Sequence, residues 1–511
     1  MKKRMSRLAA IGMMTMLILG GCAREEVPAI VEEPEEIAEE VKEIEEPEEE
    51  LEETVPLSVH ITTNNKSYYL ENSEEAYFYL QYCDASVEGD GYEDLKRNLE
   101  NWSMERSEGL RSLYTTFEES VTEDFSGEEA FYGYSLYQTL STARVDEAVV
   151  CLLDDTYQYT GGAHGMSYRE GITFDAHNGK RLTLRDILTD YDNFSAEATE
   201  RIIYELKDIH GEELFDDYIT TVEALWQEDT EPQWYLDATG IVIVLQEYTV
   251  GPYALGRPEI HLPYAEFEPY IKDAYLPVNT DGVAAFSVNE EVFLQLPATG
   301  EEMLMMLSCE WENDRSNTSL WLGSQEMPLR EYVAITNSYL LRRGEEVYCL
   351  IEVDVASDDY ETTVYRLTDG VIEKVAQVGA AIDKGNVNSE SIVMESWVDL
   401  LGTYGGIKTY RFDENGEFGT EDEEYILHRN DFVLTTTQNI SVTLDDTESI
   451  LPVGSHIIIN ATDGETYVKF TIQETGQIGV MKVSREETDY YNVTIDGMNE
   501  NECFESLPYA G

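Results

Sequence analysis

Residues 156–188 restrict the possible folds more than any other part of the chain. They read TYQYTGGAHGMSYREGITFDAHNGKRLTLRDIL, in which polar and apolar residues alternate and glycines interrupt the alternation. Such alternation is typical of antiparallel strands, and glycine is favoured where a turn requires positive φ. We therefore predict consecutive strands joined by turns at Gly161-Gly162 and at His177-Asn178-Gly179, with a last strand at Leu182-Thr183-Leu184.

Helical patterns flank this stretch. Apolar residues between positions 95 and 117 recur at steps of three and four or their multiples, which predicts a long amphipathic helix packed on a sheet. Ser195 can cap a second helix that Gly211 ends, and residues 214–225 predict a third helix.

Strand patterns complete the N-terminal half. Short alternating runs at 59–61 and 67–70 predict a first pair of strands. Five consecutive aliphatic residues, Ile241–Leu245, predict a strand covered on both faces. The predicted fold class is thus α+β, with an N-terminal domain over 57–276 that combines an antiparallel sheet with packed helices.

Two motifs in this domain resemble a known extracellular domain. The first is Gly161-Gly162-Ala163-His164-Gly165, followed by Thr173-Phe174-Asp175, and the second runs from Tyr248 through Pro252-Tyr253-Ala254 to Gly256. Both are similar to motifs of the domain shared by the anti-sigma-V factor and the non-catalytic N-terminal part of peptidoglycan deacetylase C. The resemblance implies binding at the cell surface, with capture of lysozyme as the best understood role. Candidate residues that bind a ligand or hold the turns are Gly161, Gly162, His164, Gly165, Asp175, Tyr248, Pro252, Tyr253 and Gly256.

The remainder of the chain is predicted to be rich in β-strands. Residues 277–430 contain short apolar runs separated by turn-forming residues, which is typical of a sandwich or of propeller-like blades. Residues 431–511 predict a small separate β-barrel. Within it, Gly476–Met481 resembles the penultimate hairpin of a bacterial SH3-like barrel, a module often associated with cell-wall peptides.

The N-terminus predicts export and lipid anchoring. Residues 1–22 combine basic residues with a short apolar run and end in Leu19-Gly20-Gly21-Cys22, which resembles a bacterial lipobox. We expect a signal peptide and lipidation of Cys22, with an ordinary secretory signal as the alternative. Residues 23–56 are rich in glutamate and proline and predict a disordered tether. The expected location is the outer face of the cytoplasmic membrane of a Gram-positive bacterium.

Net charge restricts the possible partners. The chain has 104 acidic and 33 basic residues, a formal net charge of −71. This charge repels nucleic acid and favours basic partners. We therefore expect the membrane, through the lipid, and a basic protein such as lysozyme or a cell-wall component, but no nucleic acid.

Catalytic and metal-binding patterns are weak. His164, Asp175 and His177 could in principle hold zinc, but we favour roles in turns for all three. The cysteines after Cys22 lack the spacing of a zinc site, and buried free thiols are favoured over a disulfide. No hydrolase elbow, zinc-protease helix or phosphate loop occurs, so we predict no catalytic residues, metal or cofactor.

These observations favour a non-enzymatic protein that binds or senses an envelope or host ligand. An anti-sigma role would require a second apolar segment of about 18 residues, which the sequence lacks. The alternative is a wall-active hydrolase with its site in residues 277–430.

Overall fold

Two large sheets dominate the computed structural model. It describes residues 55–70, 76–124, 133–227, 231–296, 300, 302–312, 315–329, 334–356, 359–368, 370–428, 432–486 and 489–509. The predicted signal peptide, Cys22 and most of the predicted tether lie outside the described residues. The architecture is α+β, with several sheets and extensive β-rich parts.

The helices of the described chain lie mainly in its first half. That half contains β1 (Ser58–Tyr69), β2 (Ala76–Glu88), α1 (Glu93–Asp124), β3 (Tyr134–Val145), β4 (Val149–Tyr159), β5 (Met166–Asp175), α2 (Leu184–Ile187), α3 (Tyr191–His210), α4 (Tyr218–Ala224), β6 (Gln233–Leu236), β7 (Gly240–Val244), β8 (Glu259–Pro263) and α5 (Tyr264–Phe267). Short 3₁₀ helices occupy Gly211–Glu213, Tyr253–Leu255, Glu268–Tyr270 and Asp273–Tyr275.

The second half is mostly strand. Its elements are β9 (Gly282–Ala285), β10 (Glu291–Gln295), β11 (Glu302–Glu312), β12 (Arg315–Leu322), β13 (Gln325–Pro328), β14 (Ala334–Arg343), β15 (Glu346–Ala356), β16 (Asp359–Thr368), β17 (Val371–Val378), β18 (Ala381–Val387), β19 (Ile392–Asp399), β20 (Thr403–Phe412), β21 (Phe418–Gly419), β22 (Tyr425–Leu427), β23 (Leu434–Thr435), β24 (Ile440–Leu444), β25 (Thr447–Leu451), β26 (His456–Thr462), β27 (Tyr467–Ile472), β28 (Ile478–Lys482), β29 (Ser484–Glu486), β30 (Asp489–Ile495), β31 (Met498–Asn499) and α6 (Glu500–Cys503).

Both large sheets cross the boundaries predicted between domains. The first has ten strands in the order β1-β2-β3-β9-β14-β15-β16-β17, with β4 paired to β3 and β5 paired to β4. The second has eleven strands and joins β18–β20 and β22 to β26–β28 and β24–β25. Residues 54–511 form one compact unit. The regions 57–276, 277–430 and 431–511 therefore share sheets, which the sequence did not predict.

Three smaller sheets complete the β structure: β6-β7-β8, β10-β11-β12-β13 and β29-β30-β31. The middle strand β7 is buried at every position, because β6 and β8 flank it and the sheet is covered on both faces. This confirms the prediction for the aliphatic run at 241–245.

The first sheet branches at strand β3. The N-terminal residues of β3 pair in parallel with β2 at Tyr134–Tyr137, whereas its last residues, Arg144 and Val145, pair with β9. Strand β3 also contacts β18 of the second sheet, and its residues 139–142 line the cleft described below. The branch thus brings the two large sheets together.

One hydrophobic core joins these parts. It includes Leu99 from α1, Phe174 from β5, Val283 from β9, Leu350 from β15 and Met394 from β19, each at most 3% exposed. Apolar burial of this kind is the dominant favourable term in folding. Residues before and after position 276 therefore contribute to the stability of a single core.

Asparagine side chains in and just after β18 join that strand to β1. Asn388 accepts a hydrogen bond from the Val59 amide at 2.8 Å and donates to the Val59 carbonyl at 2.9 Å. Asn386 makes the equivalent pair with Ile61, at 3.0 and 2.9 Å. Each carboxamide takes the place of a strand neighbour, so the backbone groups of β1 are satisfied across 329 and 325 residues.

Several local predictions are confirmed and others need correction. The helix expected from the spacing at 95–117 is α1, which buries Leu95, Leu99, Leu110 and Phe117. The runs at 59–61 and 67–70 are not a strand pair, since both belong to β1, which pairs with β2. Helix α3 begins at Tyr191 rather than near Ser195, because Asp190 accepts a hydrogen bond from the Asn193 amide. Gly211 ends α3 as predicted, with a φ of 52°.

The predicted last strand of the central stretch is wrong. Thr183 caps a helix instead of pairing in a strand. Its hydroxyl accepts a hydrogen bond from the Asp186 amide, and the Asp186 carboxylate accepts one from the Thr183 amide. This capping box starts α2, and only an isolated bridge between Phe174 and Arg181 remains of the expected pairing.

The five cysteines after Cys22 are free thiols, and all except Cys309 are buried. Among the described residues, no helix combines the length and apolar character needed to cross a membrane.

Candidate functional site

The two sequence motifs meet in space. The His164 ring stacks on Tyr253, with ring centroids 3.9 Å apart and planes inclined by 17°. The Tyr248 hydroxyl lies 3.4 Å from His164 Nε2, although the two residues are 84 positions apart in sequence. Tyr248 and Tyr253 also contact each other, with centroids 6.0 Å apart. We call His164, Tyr248 and Tyr253 the aromatic cluster.

The turn between β4 and β5 presents His164. Gly161 and Gly162 both have a φ of 93°, in a region that L side chains rarely adopt. The Tyr159 hydroxyl donates to the Gly162 carbonyl at 3.1 Å, which fixes the turn. Gly165 is needed for close approach, because a Cβ there would lie 2.5 Å from the Tyr157 ring.

The second motif is held against strand β5 by polar side chains. Gln246 accepts from the Arg169 amide at 3.1 Å and donates to the Arg169 carbonyl at 2.6 Å. Glu247 accepts from the Ser167 amide at 3.1 Å. These bonds satisfy backbone groups of the edge strand and place Tyr248, the next residue, beside His164. Pro252 then leads into the 3₁₀ helix at Tyr253–Leu255, which ends at Gly256 with a φ of 72°.

Tyr248 has an unusual backbone conformation. Its φ is 63°, which is costly for an aromatic L residue. Such outliers persist where the surrounding structure holds them, and they concentrate at functional sites. The three residues of the cluster are exposed, with Tyr248 at 44% and Tyr253 at 36%.

Exposed tyrosines continue from the cluster along the sheet. Tyr157 covers Gly165 and stacks on Tyr137 at a centroid distance of 6.5 Å. Tyr137 is 43% exposed and Tyr157 is 37% exposed. Contiguous exposed apolar surface of this kind marks interaction sites.

An ion-pair network adjoins these tyrosines, and its residue Asp155 lies two positions before Tyr157 on the same face of β4. Arg169 contacts Asp155 and Glu259, each at 2.6 Å, and Arg257 contacts Asp155 at 3.0 Å. Tyr235 donates to Glu259 at 2.8 Å. Burial, followed by the charge of Glu259, raises the pKa of Tyr235 well above its ordinary value, so its hydroxyl keeps the proton it donates.

Asp175 and His177 lie at the opposite end of β5 from His164. Ten residues of strand separate them, a span of about 30 Å. The Asp175 carboxylate accepts from the His177 and Asn178 amides at 3.0 and 3.1 Å, and from the Tyr275 hydroxyl at 3.1 Å. Asp175 therefore organises a turn and does not join the aromatic cluster. Among the described residues no group of three or more histidine, cysteine or acidic side chains is arranged to hold a metal ion.

The structure contains a cleft of about 850 Å³ that was not predicted from the sequence. Residues from β1, β3, β14, β18 and β19 line it, together with Asp155, Arg169 and Glu259 of the ion-pair network and His428. We call it the central cleft. No motif could have indicated it, because its walls come from positions between 61 and 428 that only the branched sheet brings together.

Comparisons with known proteins identify part of this region. Residues 185–265 match the family described as Protein of unknown function (DUF3298), so the chain contains a DUF3298 domain. This segment includes the loop with Tyr248 and Tyr253 and excludes the turn with His164. No curated protein matches the chain.

Two solved structures of DUF3298 proteins are similar to part of the chain. A member from Bacteroides fragilis shares 21% identity over 43% of this chain and 94% of its own, with a TM-score of 0.35. A second, from Pseudomonas aeruginosa, shares 19% identity over 44% of this chain and 98% of its own, with a TM-score of 0.32.

Proposed function

We propose that this chain is a lipid-anchored protein of the outer face of the cytoplasmic membrane, and that its aromatic cluster binds an envelope or host ligand without chemical turnover. The observation that carries the proposal is the stacking of His164 on Tyr253, which joins two separate motifs in one exposed surface. Folding alone gives no reason to expose these rings. Tyrosine is enriched among the residues that dominate binding energy at interfaces.

The proposed partner is a basic protein such as lysozyme, with a cell-wall component as the other ligand class. A formal net charge of −71 speeds encounters with a cationic partner. The similarity to the extracellular domain of the anti-sigma-V factor and of deacetylase C supports the same partner. The segment Gly476–Met481, which resembles a hairpin of an SH3-like barrel, would add contacts with cell-wall peptides.

Non-catalytic binding is favoured by the pairing of carboxylates near the cluster. Asp155 and Glu259 both contact Arg169 at 2.6 Å, so both carboxylates are already engaged by a guanidinium group. Burial raises the pKa of Asp154, Asp237 and Glu290, but these residues are not among those that line the central cleft.

A wall-active hydrolase is the second candidate. The observation in its favour is Glu395, whose carboxylate lies 3.0 Å from His428 Nε2, with both residues lining the central cleft. Release of reducing sugars or of new amino groups from purified peptidoglycan, abolished in Glu395→Gln, would establish it in place of the binding proposal.

Calorimetry of the full chain tests the binding proposal. Lysozyme and the similarly basic cytochrome c are titrated at about 0.1 M and 1 M salt, where the screening length falls from about 10 to about 3 Å. We expect lysozyme to keep measurable affinity at high salt and cytochrome c to lose it. Equal affinities that vanish together would reduce the interaction to non-specific attraction between charges.

A pair of variants tests the location of the site. Tyr253→Ala should weaken lysozyme binding by about tenfold to a hundredfold, as expected for a central aromatic contact. Tyr204→Ala is the matched control, because Tyr204 is 68% exposed on α3, away from the cluster. Equal affinity of the two variants would exclude the aromatic cluster as the binding surface.

Anchoring has its own test. Cys22→Ala should abolish incorporation of a labelled fatty acid into the protein. Label that remains on the variant would show that the lipobox assignment is wrong.

A further inference from the structure

The central cleft is a second concave site, separate from the aromatic cluster. Among the described residues that line it, none belongs to the cluster. Thr139, Val288 and Lys384 are exposed at its border, so solvent reaches it. Its volume of about 850 Å³ lies in the range of about 300–1,000 Å³ that is typical of ligand pockets.

Neutral polar side chains are numerous in the walls. Eight serine and threonine residues and two asparagines line the cleft, including Thr139, Ser141 and Thr142 of β3. Thr142 is 1% exposed, and its hydroxyl is buried without a hydrogen-bond partner in the described structure. A buried hydroxyl without a partner is unfavourable, and a bound ligand is one way to satisfy it.

Most of the charged groups that line the cleft have partners in the structure. Asp155 and Glu259 contact Arg169, and Glu395 contacts His428. Asp383 accepts hydrogen bonds from the Asn386 side chain at 2.9 Å and from the Gly385 amide at 3.1 Å. Lys384 lies at the exposed border, so a strongly charged ligand inside the cleft would have to disrupt these contacts.

We propose that the central cleft binds an uncharged polyhydroxylated ligand, a short oligosaccharide of about two to three rings. Hydroxyl and carboxamide side chains exchange hydrogen bonds with sugar hydroxyls, which both donate and accept. The paired arginine and carboxylate groups offer further donors and acceptors without requiring a net charge. Val288, Ile335 and Ile407 line the cleft, are at least partly exposed, and supply apolar surface for the faces of the rings. This site is additional to the aromatic cluster and does not depend on lysozyme binding.

Titration of the full chain with three neutral trisaccharides tests the proposal. The probes are maltotriose, cellotriose and the trimer of N-acetylglucosamine, with spermidine and citrate as cationic and anionic comparisons. We expect at least one trisaccharide to bind with millimolar or tighter affinity. Absence of binding by all three, or binding by spermidine or citrate alone, would overturn the proposal.

Variants locate the sugar. Ser141→Phe places a ring in the cleft and should abolish binding, whereas Thr142→Val should weaken it about tenfold through the lost hydrogen bond. Thr142→Ser keeps the hydroxyl and should retain binding. The matched control is Thr280→Val, since Thr280 also has a buried hydroxyl without a partner but does not line the cleft.

Stability measurements distinguish a variant that has lost the binding site from one that no longer folds. Thr142→Val removes an unsatisfied polar group, so the thermal midpoint of the free protein should stay the same or rise. Weaker sugar binding together with unchanged or higher stability is the signature of a ligand contact. Sugar binding that survives Ser141→Phe would place the ligand elsewhere and overturn the assignment of the cleft.

Discussion

The two ends of the β4–β5 hairpin use similar glycine turns for different purposes. At the base, Gly179 packs against α1, and the carboxylates of Asp175 and Asp186 accept hydrogen bonds from backbone amides. At the tip, the turn at Gly161-Gly162 presents exposed rings, and Tyr248 keeps a costly positive φ. The packing and hydrogen bonds at the base stabilise the fold, whereas the exposed rings and the positive φ at the tip do not. This difference is the reason to assign ligand binding to the tip.

Substitution of the base glycine should have the largest effect on stability. Gly179 has a φ of 65°, and a Cβ there would lie 2.5 Å from the Asp94 carbonyl oxygen. Gly179→Val combines backbone strain with a clash against the start of α1, so we expect a loss of more than about 3 kcal/mol. Urea unfolding of the full chain measures it. A loss under about 1 kcal/mol would show that α1 does not rest on this turn.

The equivalent change at the tip should cost less. Gly162→Val introduces the same side chain at a φ of 93°, but a Cβ there meets no atom within 4 Å. We expect a loss of about 1–3 kcal/mol from backbone strain alone. His164→Ala should be milder still in the same urea experiment and should release no metal. Stoichiometric zinc in the wild type that is lost in His164→Ala would instead make the tip a metal site.

Acid titration tests whether the charge of Asp186 stabilises the base of the hairpin. Burial by itself raises the pKa of Asp186, but hydrogen bonds from Lys180 and Thr183 outweigh it and lower the pKa to about 2, from 3.8. Because the folded-state pKa is the lower one, this stabilisation is present above pH 4 and is lost as the pH falls towards 2.

The matching variant is Asp186→Asn. At pH 6 it should be less stable than the wild type by about 1 kcal/mol, a value reduced for the partial exposure of the group. The difference should shrink as the pH approaches 2. A difference that does not depend on pH would mean that the capping geometry, and not the charge, stabilises the base.

The smallest expected effect concerns Tyr248. Asparagine tolerates positive φ better than tyrosine, so Tyr248→Asn should leave stability unchanged or raise it by about 0.5 kcal/mol. Lysozyme binding should fall at the same time. Wild-type binding by this variant would remove Tyr248 from the proposed site, and a large loss of stability would give the tip a structural role.

Local structure was predictable where one segment contains the whole cause. The spacing of Leu95, Leu99 and Phe117 predicted α1, and the run at 241–245 predicted the buried strand β7. Prediction failed where a side chain had two possible uses. Thr183 suits a strand by composition, but Asp186 three residues later makes it a helix cap.

Long-range contacts account for the rest. The sequence pattern identified both motifs of the aromatic cluster but could not place Tyr253 on His164, because that contact depends on Gln246 and Glu247 reaching the edge of β5. No local sequence pattern indicated the central cleft, since its wall residues are of types that are ordinary in strands. The predicted domain boundaries missed the pairing of β3 with β9, which depends on two residues of each strand.

The carboxamides of Asn386 and Asn388 also restrict when strand β1 can finish folding during synthesis. Strand β1 is among the first structured segments to be made, yet its partner at Asn388 follows Val59 by 329 residues. At about 5–20 residues per second, translation of that interval takes about 15–65 s. During that time the backbone of β1 lacks these partners, so completion of the N-terminal strand must wait for the second half of the chain. A nascent fragment that ends before residue 386 should therefore be more prone to aggregation and proteolysis than the finished protein.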